Sequence, residues 1–110
     1  MAYRLRITEH ANEMLENHVF YLRNKFKSNQ AASHLIQAVD NIYERLEDNP
    51  KQFPMCKDSY LAIKGYRIAL LGSMNYSIVF SIQQEEVIIL GIFNQLENYE
   101  TKMRREDIWE

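Results

Sequence analysis

Between residues 65 and 99 the chain carries three strand-like runs in quick succession, behind two amphipathic helical stretches. That order constrains the fold more than any other feature of the sequence. Tyr66, Ile68 and Leu70 alternate with Arg67 and Ala69, and Tyr76, Ile78, Phe80 and Ile82 alternate with Ser77, Val79 and Ser81. A period of two marks a strand with one buried face. Val87 to Phe93 is apolar on both phases, as an inner strand covered on both sides would be. Gly72 to Asn75 and Gln83 to Glu86 supply the turns between the runs. Leu61 and Ile63 have the opposite phase, so Gly65 is expected to mark a bulge or the start of the true strand.

Ahead of this block, Tyr3, Leu5 and Ile7 alternate with Arg4 and Arg6, a further short strand. Thr8 stands where a helix N-cap belongs, with Glu9 just inside at the positive end of the helix dipole. Ala11, Leu15, His18, Val19, Leu22 and Phe26 follow at helical spacing. Lys27-Ser28-Asn29 interrupts the helix, and Ser28 or Asn29 caps the next one. Its stripe is Ala32, Leu35, Ile36, Val39, Ile42, Tyr43 and Leu46, and it stops before Pro50. So short a break makes the helices an antiparallel αα-hairpin. Asn49 to Ser59 holds both prolines and reads as loop, while Leu96, Tyr99 and Met103 have the spacing of a short closing helix.

The fold class expected is α+β: a small antiparallel sheet with the αα-hairpin packed on one face, in the order β-α-α-β-β-β-α. Residues 1–110 form a single domain. The last three strands make an antiparallel meander to which the N-terminal strand is added. Leu15, Leu22, Leu35 and Val39 cover one face. The second face is expected to be bare and partly basic, carrying Arg4, Arg6, Arg67, Ser77 and Ser81. Such a face is either a functional platform or the wet side common in antiparallel sheets.

With 110 residues, 46% of them aliphatic or aromatic and 25% charged, the chain can bury a core without a metal or disulfide. Cys56 is the single cysteine, which excludes an internal disulfide and fits a reducing compartment. As a nucleophile it would lack a nearby histidine. His10, His18 and His34 form no i,i+4 pair, so neither a metal site nor another cofactor is expected, and His18 reads as a packed core histidine. No run reaches membrane-spanning length and no signal pattern opens the chain, so a cytoplasmic protein with no membrane partner is expected. A net charge of −2 is unhelpful for gripping nucleic acid unaided. The charge is uneven: Lys51, Lys57, Lys64 and Arg67 face only Asp58 in their stretch, whereas Glu85 to Glu110 holds seven acids against Lys102, Arg104 and Arg105.

Taken in order, these pieces resemble the RelE/ParE superfamily of type II toxins over about residues 3 to 103. They are Tyr3-Arg4-Leu5-Arg6-Ile7, the helix around Ala32 that ends at Asn49-Pro50, Gly65-Tyr66-Arg67, Tyr76-Ser77-Ile78-Val79-Phe80, and Tyr99 after the last strand. The resemblance implies a bacterial or plasmid-borne toxin held inactive by a cognate antitoxin.

One branch of the superfamily cleaves mRNA on the ribosome. That reaction needs a base for the 2′-hydroxyl, cations for the transition state and an acid for the leaving oxygen. Carried over from that branch, the second-strand cation falls on Arg67 and the other second-strand position on Ala69. The third-strand arginine falls on Ser77, and the segment after the fourth strand on Asn94-Gln95-Leu96. Of that set only Arg67 and Tyr99 remain, and a shifted register would recruit Lys64 or Lys57, so a nuclease would rest on Arg67, Lys64 and Tyr99. The ParE branch inhibits DNA gyrase by binding it and needs only a surface, so it is the favoured reading. RelE-like mRNA cleavage and a degenerate toxin that only binds its antitoxin are the alternatives. Arg4, Arg6, Arg67, Ser77, Asn94, Gln95 and Tyr99 are the residues expected to meet partner or target.

Overall fold

The computed structural model describes residues 3–72 and 74–105. Its elements are β1 (Arg4–Ile7), α1 (Glu9–Asn24), α2 (Asn29–Asp48), a 3-10 turn (Pro50–Gln52), α3 (Ser59–Ile63), β2 (Arg67–Leu70), β3 (Tyr76–Gln83), β4 (Glu86–Asn94) and α4 (Tyr99–Arg105). The α+β class, the αα-hairpin and the strand meander stand as expected. Local chemistry explains the boundaries. The Thr8 side chain accepts from the Ala11 N–H at 3.1 Å and caps α1. Ser28 does the same for Ala31 at 3.0 Å and caps α2. Lys27, at φ 55°, takes the left-handed turn that reverses the chain between them.

The four strands lie in the order β1-β4-β3-β2. The pairs β2–β3 and β3–β4 are antiparallel, but β1 runs parallel to β4, with Leu5 opposite Val87 and Ile7 opposite Ile89. The sheet is therefore mixed rather than wholly antiparallel. The reason is the αα-hairpin, whose two helices return the chain to the far side of the sheet before the meander begins. Thr8 fastens this junction, donating to the Ile89 carbonyl through its hydroxyl at 2.8 Å and its N–H at 3.2 Å.

A β-bulge explains the unbroken apolar run of β4. Val79 pairs with Gly91 and Phe80 with Ile89, so Leu90 is an extra residue and the strand changes phase there. Ile89 and Ile92 consequently both face the hairpin core, while Leu90 and Phe93 both face the other side. The hairpin core joins Leu22, Leu35, Val39 and Leu46 to Ile78, Phe80, Val87 and Ile89. Phe26, expected on that stripe, lies past the end of α1 and is exposed.

The second face is not bare. Cys56, Leu61, Tyr66 and Met103 come down on Val79, Ile88, Leu90 and Phe93 as a second buried cluster. The cover is built from α3 and α4. Leu61 and Ile63 belong to a helical turn capped by Asp58, whose carboxylate accepts from the Leu61 N–H at 3.1 Å. Gly65, at φ +85°, then turns the chain into β2. What looked like a strand of the wrong phase is thus a short helix. Arg104 joins the two helices, 3.5 Å from Asp58 and 5.6 Å over the Tyr60 ring. Ser81, expected on an open face, is buried with an unpartnered hydroxyl.

Candidate functional site: a groove along the second sheet face

The cover over the second face is incomplete. Two adjoining concavities, of about 370 and 910 Å3, share Ile68, Leu70, Gln95, Glu97 and Tyr99. The smaller is completed by Met74, Asn75, Tyr76, Ser77 and Asn94, the larger by Arg45, Phe53, Met55, Lys57 and Leu96 among others. Edge strand β2 contributes Leu70, 70% exposed, and the connection after β4 contributes Leu96, 94% exposed. Exposed aliphatic side chains of this size beside a concave floor are the usual material of a binding surface.

Hydrogen bonds shape the connection from Asn94 to Asn98. The Asn94 side chain accepts from the Leu96 N–H at 2.8 Å, and the Glu97 carboxylate accepts from the Asn94 N–H at 2.7 Å. Gln95 donates its N–H to the Asn75 carbonyl at 2.7 Å, which holds this connection against the β2–β3 turn. Asn98 then caps α4 by accepting from Thr101 at 3.1 Å. Glu97 also takes Lys102 at 2.7 Å and lies 3.5 Å from His18. Burial disfavours its charged form, but the Lys102 and Asn94 hydrogen bonds outweigh this and hold the carboxyl below its ordinary range. His18 is partly buried and packed as expected, its Nε2 at 2.8 Å from the Ile92 carbonyl and its ring edge-on to Tyr76 at 5.0 Å.

Of the residues singled out from the sequence, Ser77, Asn94, Gln95 and Tyr99 line this groove together. Arg67 does not. It pairs with Phe80, on the hairpin side of the sheet, and donates to the Phe53 carbonyl at 2.6 Å. Burying Tyr66 and Ile68 on the second face leaves Arg67 on the other phase, so it lies apart from Ser77 and pairs with neither Asp58 nor Glu97. Lys64 lies over the Tyr60 and Tyr66 rings at 5.3 and 5.7 Å and lines neither concavity. Arg4 and Arg6 sit on β1, at the opposite edge of the sheet from β2, beside Glu85 at 3.9 Å and Glu86 at 3.5 Å. Ile68, Leu70, Met55, Arg45 and Glu97 were missed. An Asn94-x-x-Glu97 turn and an apolar residue two places before Gly72 were the available signals.

The groove is lined largely by amides, hydroxyls and apolar side chains. Burial pushes the Tyr99 hydroxyl up to about 12, with the neighbouring Cys56 and Glu100 adding to it. Burial likewise pushes the Cys56 thiol up to about 11, against a hydrogen bond from Tyr99. Neither group exchanges a proton readily near neutrality, and the thiol is a poor nucleophile. Ser77, Asn94 and Gln95 offer hydrogen bonds without charge. The cations at the rim are Arg45, stacked 4.8 Å over Phe53 and bonded to Gln52, and Lys57. Among the described residues no group of three or more His, Cys, Asp or Glu is placed to hold a metal, and no helix is long and apolar enough to cross a membrane.

No curated protein matches the chain. Among solved structures it resembles one titled "Chromosomal ParDE TA system from P. aeruginosa". The match has a TM-score of 0.69 at 18% identity and covers 84% of this chain and 96% of that one, a likeness of fold. A family model described as "ParE toxin of type II toxin-antitoxin system, parDE" matches residues 5–99. With nearly the whole domain spanned by that match, the chain belongs to the ParE family of type II toxins, the toxin half of a toxin–antitoxin pair.

Proposed function

We propose that this toxin acts by binding a protein target, DNA gyrase, and not by cutting mRNA. The observation that carries the reading is the lining of the groove. Ser77, Asn94, Gln95 and Tyr99 converge there without a cation at the Ser77 position or a group that titrates near neutrality. Removing one preorganised charge contact from a phosphoryl-transfer site costs about 10²–10³ in rate, and here several are absent together. A recognition surface loses nothing by their absence. It needs apolar anchors and hydrogen bonds, and Met55, Leu70, Leu96 and the Asn94–Gln95 amides supply both.

The antitoxin, in this reading, lays an amphipathic segment across the α2 side of the αα-hairpin and this groove, with acidic residues toward Arg45 and Lys57 at its rim. Purified toxin should inhibit gyrase supercoiling or trap cleaved DNA, and should leave mRNA intact on translating ribosomes. Ribosome-dependent cleavage at the rate of an active relative would overturn the proposal. Inactivity in both assays would leave antitoxin binding as the role. As a control, Ser77→Arg with Leu96→Arg should gain no mRNA cleavage and should weaken gyrase inhibition, since it replaces an apolar anchor of the surface.

A further inference from the structure

One face of α1 is only partly taken up by the core: Leu15 and Val19 pack against it, while Glu16, Phe20 and Arg23 are exposed. On α1, Glu16, Val19, Phe20 and Arg23 fall within about 100° of one another around the axis. With Leu15, Asn24 and Ile36 of α2 they line a shallow concavity of about 470 Å3. Phe20 is 61% exposed on this face, and Phe26, just past the helix, is 66% exposed. The charges flanking the apolar centre are opposite in sign, and among the described residues neither Glu16 nor Arg23 has an ion-pair partner.

We propose that this face of α1 is a self-association surface, occupied by the same face of a second copy in an antiparallel, two-fold arrangement. The charge pattern selects that occupant. Glu16 and Arg23 lie seven residues apart, roughly 10 Å along the axis, with Val19 and Phe20 midway between them. A two-fold axis through that midpoint places Glu16 of each copy against Arg23 of the other and stacks the apolar centres. An isologous contact requires such self-complementarity. A parallel arrangement would instead set like charges side by side. One helix face with a single aromatic anchor makes a small interface, so the dimer is weak, with Kd on the order of 10–100 µM. This surface is separate from the groove, and the inference does not depend on the gyrase reading.

Analytical ultracentrifugation of the full chain over a wide concentration range tests it. The wild type should dimerise, and Phe20→Glu should be monomeric. Glu16→Arg alone, or Arg23→Glu alone, should weaken dimerisation about tenfold or more, because each homodimer then holds two like-charge contacts. Mixing those two variants should restore association, since the heterodimer regains both opposite-charge pairs. The double variant Glu16→Arg/Arg23→Glu should also dimerise. All three positions are at the surface, so circular dichroism and denaturation curves should match the wild type and separate loss of contact from loss of fold. A wild type that stays monomeric at millimolar concentration would overturn the proposal. So would single reversals without effect, or a mixture that does not recover. A monomeric wild type whose Phe20→Glu variant loses its antitoxin would assign the face to the antitoxin and overturn it equally.

Discussion

Glu97 shows how one side chain sets the form of the groove. Its carboxylate receives the Asn94 N–H and the Lys102 ammonium, and it lies beside His18. Because the folded carboxyl is held below its ordinary 4.5, the folded state binds fewer protons there than the unfolded state. The resulting stabilisation is complete above the unfolded value and fades as the pH falls through the lower folded one. Glu97→Gln should cost about 1–2 kcal/mol at neutral pH in urea denaturation. The gap from wild type should narrow as the pH falls below the ordinary carboxylate range; a gap that is unchanged in acid would show that the charge is not what matters. Gly65 is a second residue-scale test. At φ +85° with open space where a Cβ would stand, Gly65→Ala meets backbone strain and no clash, and should cost about 1–2 kcal/mol.

At the scale of elements, the two caps of the hairpin differ in what they hold. Ser28 satisfies one orphan N–H of α2, so Ser28→Ala should cost about 1 kcal/mol. Thr8 caps α1 and also donates its hydroxyl to Ile89, tying the parallel pair β1–β4 to the helix start. Thr8→Ala should therefore cost more than Ser28→Ala, by about another 1 kcal/mol. Thr8→Ser should recover most of the difference. Equal losses at the two sites, measured by chemical denaturation, would mean that the strand contact contributes nothing. Both caps were legible in the sequence, because an N-cap is a local pattern. The second role of Thr8 was not, since Ile89 is 81 positions away.

Across the whole molecule, the sheet divides the protein into a side closed by continuous burial and a side left partly open. The hairpin core supplies continuous burial, whereas the second face is closed by α3 and α4 and left open between β2 and the Asn94–Asn98 connection. Expression of the wild-type chain alone should arrest growth, and co-expression of its antitoxin should restore it. Leu70→Asp with Met55→Asp should relieve the arrest while moving Tm by only about 2 °C, because both side chains already meet solvent. Persistent toxicity of a folded double variant would remove the groove from the account.

Apart from α3 and the 3-10 turn, the sequence by itself determined the elements, their caps and the αα-hairpin, because periodicity, capping and turn chemistry act over a few residues. It also brought Ser77, Asn94, Gln95 and Tyr99 together, since the order of the strands sets the Tyr76 end of β3 beside the end of β4. Tertiary structure alone decided the rest. Strand phase reports that two faces exist but not which one a distant segment will cover. Tyr66 and Ile68 could be assigned to a face only once Cys56, Leu61 and Met103 were seen to pack on it. That choice sends Arg67 to the hairpin side and its guanidinium to a backbone carbonyl. The parallel placement of β1 and the bulge at Leu90 have the same origin: both are fixed by pairing between residues far apart in the chain, where local preference has no reach.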